Sequence, residues 1–171
     1  MQKQSIEGFQ LSPQQKHLWS LCGRDGATVY RAQCAVRIEG CLHKRILREA
    51  IEKVVQGHEI LRTSFQSLAD MGLPLQVINP AAVSIIGVDL TELEAERQND
   101  ELAALLENAA HRIADCEQET LFHLQLISLS RGHHVLQMTL PALCIDAVGL
   151  DRLVRSIAQA YAACRNKEEF S

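Results

Sequence analysis

The segment LFHLQLISLSRGHHVLQMTL, residues 121–140, decides the fold. Leu121 to Leu129 and His134 to Leu140 are two β-forming stretches flanking Ser130-Arg131-Gly132, the signature of a hairpin. The chain then leaves the sheet through Pro141-Ala142-Leu143-Cys144-Ile145-Asp146. Leu150, Leu153, Val154, Ile157, Ala158 and Tyr161 follow at helical spacing. Asp146 therefore sits in a strand-to-helix turn.

Working outward, Tyr30 to Glu39 alternates. Tyr30, Ala32, Cys34, Val36 and Ile38 face one way, and Arg31, Gln33, Arg37 and Glu39 face the other. That pattern predicts a strand with one buried face. A long helix is expected from about His43 to Ser64, with Ile46, Leu47, Ala50, Ile51, Val54, Val55 and Leu61 as its apolar stripe. Short strands are expected at Leu75–Ile78 and Val83–Val88. Two capping boxes open helices. Ser12-Pro13-Gln14-Gln15 precedes Leu18, Trp19 and Leu21, with a turn at Gly23 to Gly26. Thr91-x-x-Glu94 precedes Leu102, Leu105, Leu106, Ala109 and Ile113. Helices and strands thus mix, with both hairpin and crossover connections. The expectation is a single α+β layered domain over residues 1–171, ending in a polar tail at 165–171 that frays.

Composition bounds the function. The chain has 171 residues, 47% of them hydrophobic and 22% charged, enough to bury a core. Aromatics are 4% and the net charge is −4, so neither a base-stacking platform nor a phosphate-binding surface is expected. No apolar run reaches the roughly 18 residues of a membrane span, and Met1 to Gly8 lacks the apolar stretch of a signal peptide. The expected compartment is the cytoplasm. The six cysteines (Cys22, Cys34, Cys41, Cys116, Cys144 and Cys164) include no C-x-x-C pair. They are expected to be reduced, mostly buried as small apolar residues, and no metal site is expected.

Few residues offer chemistry. His133-His134 could suggest metal or base, but strand alternation sends adjacent rings to opposite faces, which favours packing or surface roles. Cys144 lies in the apolar run Leu140 to Ile145 with no local base to make it a thiolate, so core packing is expected. Asp146 reads either as a helix cap or as a buried carboxylate requiring a partner. Arg62, in His58-Glu59-Ile60-Leu61-Arg62-Thr63-Ser64-Phe65, is the candidate partner, with a solvated Arg62 as the alternative.

Three segments together resemble the condensation domains of nonribosomal peptide synthetases. Leu11-Ser12-Pro13-Gln14-Gln15-Lys16-His17-Leu18-Trp19 is similar to their Ser-x-x-Gln-x-x-Leu-Trp motif. Gly57-His58-Glu59-Ile60-Leu61-Arg62-Thr63-Ser64-Phe65 is similar to Arg-His-Glu-x-Leu-Arg-Thr-x-Phe, with Gly57 in place of the first Arg. Pro141 to Ala147 falls where His-His-x-x-x-Asp-Gly belongs. The resemblance covers the whole chain but only the N-terminal lobe of such a domain. It implies half of a chloramphenicol-acetyltransferase-like fold, a mixed sheet covered by helices. The second lobe would close a tunnel for carrier-borne phosphopantetheine arms.

The third motif is degenerate. Pro141 and Ala142 replace both histidines and Ala147 replaces the glycine, leaving Asp146. The resemblance ties the second histidine to amide-bond formation, and losing a positioned acid/base group typically removes ~10²–10⁴ in rate. It also implies that Asp146 is structural, bridged to Arg62, in a pair whose breakage would cost about 3–5 kcal/mol. No catalytic residue and no bound cofactor are therefore expected.

Three functions follow. The first is a truncated, non-catalytic condensation-like lobe that docks other synthetase domains (carrier, adenylation or the C-terminal condensation lobe) or self-associates through an apolar face. The second is half of an amide-forming domain, moving acyl or aminoacyl groups between carrier thioesters, active only with its second lobe. The third is an unrelated small-molecule enzyme built on Cys144.

Overall fold

The computed structural model describes residues 8–21, 30–67, 72–111 and 121–166. The elements in chain order are β1 (Phe9–Gln10), α1 (Pro13–Leu21), β2 (Arg31–Glu39), α2 (Lys44–Gly57), a 3₁₀ turn (Glu59–Arg62), β3 (Thr63–Gln66) and β4 (Leu75–Ile78). They continue with β5 (Ile85–Asp89), α3 (Ala95–His111), β6 (His123–Ser130), β7 (His133–Pro141) and α4 (Ala147–Asn166).

The hairpin of residues 121–140 forms the centre of a four-stranded sheet ordered β2-β7-β6-β5. β2 pairs antiparallel with β7 from Arg31↔Pro141 to Glu39↔His133. β5 pairs parallel with β6, as the crossover through α3 requires. A second sheet, β1-β4-β3, is small and antiparallel throughout.

Alternation on the large sheet assigns its two faces. Leu124, Leu126, Leu136, Met138 and Leu140 enter the main core against Ala50, Ile51 and Val54 of α2 and Leu153, Ile157 and Ala160 of α4. The predicted stripe of β2 (Ala32, Cys34, Val36 and Ile38) packs on the same core. Ile127 and Val135 face the other way, toward Leu102 and Leu105 of α3. A third cluster joins the two sheets. Phe65, 0% exposed, meets Leu11, Leu121 and Leu143 there, and its ring lies 6.4 Å from that of Trp19 at 33°.

Three expectations change. The helix expected to reach Ser64 ends at Gly57, and Thr63–Gln66 is a strand paired with β4. Phe65 is the reason: extended backbone carries its ring into the cluster between the sheets. The Thr91 capping box does not form either. Thr91 donates its N–H (3.0 Å) and hydroxyl (2.7 Å) to the Asp89 carboxylate, a turn at the end of β5, and α3 starts only at Ala95. Arg165 and Asn166 belong to α4 rather than to a frayed tail. The expected turn at Gly23–Gly26, Ile113, Cys22, Cys116 and residues 167–171 lie outside the described residues.

The Ser12 box forms as read. The Ser12 N–H donates to Gln15 Oε1 (2.9 Å) and the Gln15 N–H donates to Ser12 Oγ (3.2 Å). Among the described residues no helix is long and apolar enough to cross a membrane.

Candidate functional site

The segment Pro141–Ala147 is built by three backbone constraints. Pro141 closes β7 opposite Arg31. The Ala142 N–H donates to the Tyr30 carbonyl at 2.6 Å, and the Cys144 N–H donates to the Pro141 carbonyl at 2.9 Å, making a tight turn. Leu143 is buried beside Phe65 and anchors the turn from within.

Asp146 then starts α4. Its Oδ1 accepts the Gly149 N–H at 2.7 Å, and its carbonyl accepts the Leu150 N–H at 2.9 Å. This is N-cap geometry, satisfying one of the free donors of the first turn. Gly149 lets the turn close. A Cβ there would stand 2.6 Å from Ile145 Cγ1 and 3.2 Å from Asp146 Oδ1.

The opposite wall comes from the start of α1. Gln15 Nε2 donates to the Leu143 carbonyl and to Gln76 Oε1, each at 3.0 Å. One side chain thereby ties α1, β4 and the 141–147 turn together. A cleft of about 440 Å³ lies between Ser12, Gln15, Leu18 and Ile60 on one side and Ala142 and Asp146 on the other. Sequence reading located Gln15 as a capping residue and missed its bridging role, because the partners are 61 and 128 positions away.

The expected Arg62–Asp146 pair is not formed. Arg62 Nη1 donates to the Asn79 carbonyl at 2.7 Å, and Nη2 lies 3.6 Å from Glu59 Oε1. The Arg62 carbonyl accepts the Asn79 N–H at 2.9 Å, so the residue clamps the end of β4 where β3 begins. Asp146 is exposed and committed to its cap, which removes the need for a buried counter-charge. Of the two readings of Asp146, the structure takes the cap.

Chemically the cleft is sparse. Ala142, which the resemblance sets at the place of the motif's second histidine, brings a methyl group to the cleft. No histidine is among the described residues lining the cleft; Cys144 and Asp146 are the titratable ones. Cys144 packs against both the main core and the Phe65 cluster, as its apolar neighbours predicted. Cys34, Cys41 and Cys164 are free thiols, and burial pushes the Cys34 thiol up. Among the described residues no group of three or more His, Cys, Asp or Glu could hold a metal.

The vicinal histidines lie elsewhere and diverge, as alternation requires. His133 is exposed, its Nδ1 2.9 Å from Ser130 Oγ. His134 is buried on the opposite face, its Nδ1 3.2 Å from Ser128 Oγ, which also accepts a hydrogen bond from Lys44 Nζ at 3.3 Å. Burial, then the nearby Lys44 charge, hold the His134 ring below its ordinary pKa.

The family model of the Condensation domain matches residues 6–171. Chondramide synthase of Chondromyces crocatus is 32% identical over 155 residues, which cover 90% of this chain and 4% of that synthase. Malpibaldin synthetase of Mortierella alpina is 29% identical over 164 residues, covering 94% of this chain and 3% of that synthetase. Among solved structures, the first condensation domain of the calcium-dependent antibiotic synthetase superposes with a TM-score of 0.86 at 19% identity, over 96% of this chain and 41% of that one. The X-domain from teicoplanin biosynthesis superposes with a TM-score of 0.79 at 28% identity, over 98% of this chain and 35% of that one. The chain therefore spans a small part of the synthetases and well under half of the solved domains.

Proposed function

The chain belongs to the condensation-domain family of nonribosomal peptide synthesis, and we propose that it serves there as a non-catalytic lobe that docks other synthetase domains. The observation that carries this proposal is Ala142. It occupies the position of the amide-forming histidine, in a cleft whose described lining holds no imidazole. The surrounding frame is kept. Gln15 holds the turn, Leu143 anchors it and Asp146 caps α4. Retained architecture with a deleted acid/base group fits a part kept for shape and contact.

A structural relative favours docking. The teicoplanin X-domain, 27% identical in that comparison, was solved in complex with OxyB. By analogy, the partners of this chain would be a carrier domain, an adenylation domain or a C-terminal condensation lobe, met in the cytoplasm. The lobe binds no cofactor of its own under this proposal; phosphopantetheine arms belong to the carriers.

Light scattering tests it. The chain mixed with the carrier and adenylation domains of its own synthetase is expected to give the mass of a complex with one of them. Unchanged masses with every such domain, and with the C-terminal lobe, would contradict the proposal.

A further inference from the structure

We propose that the α3-facing side of the large sheet carries a binding site for a small neutral molecule with an apolar body and a primary carboxamide head. A cavity of about 310 Å³ lies there among β2, β5, β6, β7 and α3. It shares no described lining residue with the Pro141–Ala147 cleft and does not depend on the docking role.

Gln137 is the key residue. Leu136 and Met138, its neighbours on β7, point into the main core, so alternation turns Gln137 to the α3 face. It is 1% exposed, yet neither its Oε1 nor its Nε2 has a hydrogen-bond partner. Its cross-strand neighbour Gln125 also lines the cavity, and the Gln125 Oε1 is likewise buried and unpartnered. Buried amides are ordinarily satisfied, and leaving one unsatisfied disfavours the folded state. Leucine has a similar bulk and lacks that defect. Two glutamines held unpaired around one cavity are therefore groups that wait for a partner.

The size and lining select that partner. At about 30 Å³ per water, the cavity has room for roughly ten molecules. Besides the two side-chain amides, Arg31, Asn108, His123 and Thr139 bring polar groups to the lining, and Ile86, Leu105 and Ala109 form its apolar walls. A ligand with an apolar body covers those walls better than water does. No carboxylate is among the described lining residues to complement a cation, and Arg31, which also lines the cavity, is already partnered. Gln137 presents a donor and an acceptor side by side. The complementary head both accepts and donates in the same plane, as a primary carboxamide does.

The test is a titration of the 171-residue chain with benzamide, followed by the side-chain NH₂ signals of Gln137 and Gln125 in ¹⁵N–¹H spectra. Acetophenone, of the same shape but without a donor, and benzoate, an anion, are the comparators. Benzamide is expected to give a saturable shift of the Gln137 signal, with both comparators binding at least roughly tenfold more weakly. Gln137→Leu is expected to abolish benzamide binding, read on the remaining signals, and to unfold at higher denaturant than the parent chain. Gln125→Leu, read the same way, is the second variant should Gln137→Leu fail to fold. The absence of a saturable shift would mean that the cavity holds water only and would overturn the proposal. Benzoate binding as tightly as benzamide, or benzamide binding that survives either substitution, would overturn it as well.

Discussion

Asp146 Oδ1 accepts the Gly149 N–H at 2.7 Å, and this bond, rather than an ion pair with Arg62, gives the aspartate its place in the fold. An exposed N-cap typically contributes about 0.5–2 kcal/mol, whereas breaking a buried ion pair costs about 3–5 kcal/mol. Asp146→Ala is expected to fall in the lower range by urea denaturation, with Asp146→Ser or Asp146→Asn nearly neutral. Combined with Arg62→Met, its effect is expected to be additive within about 0.5 kcal/mol. A coupling of several kcal/mol would restore the ion pair.

Gly149 is expected to resist substitution although it lies in a helix, where Gly→Ala ordinarily stabilises. Its Cβ would collide with Ile145 Cγ1 at 2.6 Å. Gly149→Ala is expected to lower stability by about 1–3 kcal/mol, the range of overpacking, in thermal or urea unfolding.

Gln15 ties three elements through one amide. Gln15→Ala is expected to cost about 1–3 kcal/mol because it leaves the Leu143 carbonyl and the Gln76 amide without this partner. Amide hydrogen exchange checks the location of the loss. Protection is expected to fall in α1 and in the 141–147 turn and to persist in β6 and β7.

His134 makes stability pH-dependent. Its pKa in the folded chain is below the ordinary value of 6.5, through burial and the Lys44 charge, so the unfolded chain binds the proton more readily. The contribution is therefore fully present above pH 6.5 and is lost as pH falls through the folded pKa. The urea midpoint is expected to fall on acidification below about pH 6.5, and His134→Asn is expected to flatten that part of the profile. An unchanged slope in the variant would assign the effect to other groups.

Much of this was legible in the residues, for local reasons. Alternation in Tyr30–Glu39 and the apolar stripes of Leu47–Val55 and Leu150–Ile157 are short-range records of which face meets the core. The Ser12–Gln15 box is closed by residues three apart. What was not legible depended on distant partners. Thr63–Phe65 continues an apolar helical pattern on paper but pairs with β4 and delivers Phe65 between the sheets. Thr91 lost its cap role to Asp89, two residues earlier. Arg62 is drawn to Asn79, a contact made only once β3 and β4 pair. The burial of Gln137, 1% exposed, has no counterpart in its local sequence.

Whether this lobe forms amide bonds is tested most directly by a condensation assay on the synthetase that contains it, with donor and acceptor thioesters loaded on their carriers. A non-catalytic lobe predicts no product above the unassisted thioester–amine background at this step. Ala142→His is expected to raise the rate only if the rest of the site is intact. Product formed well above background by the parent sequence, in the presence of its second lobe and with Ala142 unchanged, would contradict the proposal and identify the chain as half of an active amide-forming domain.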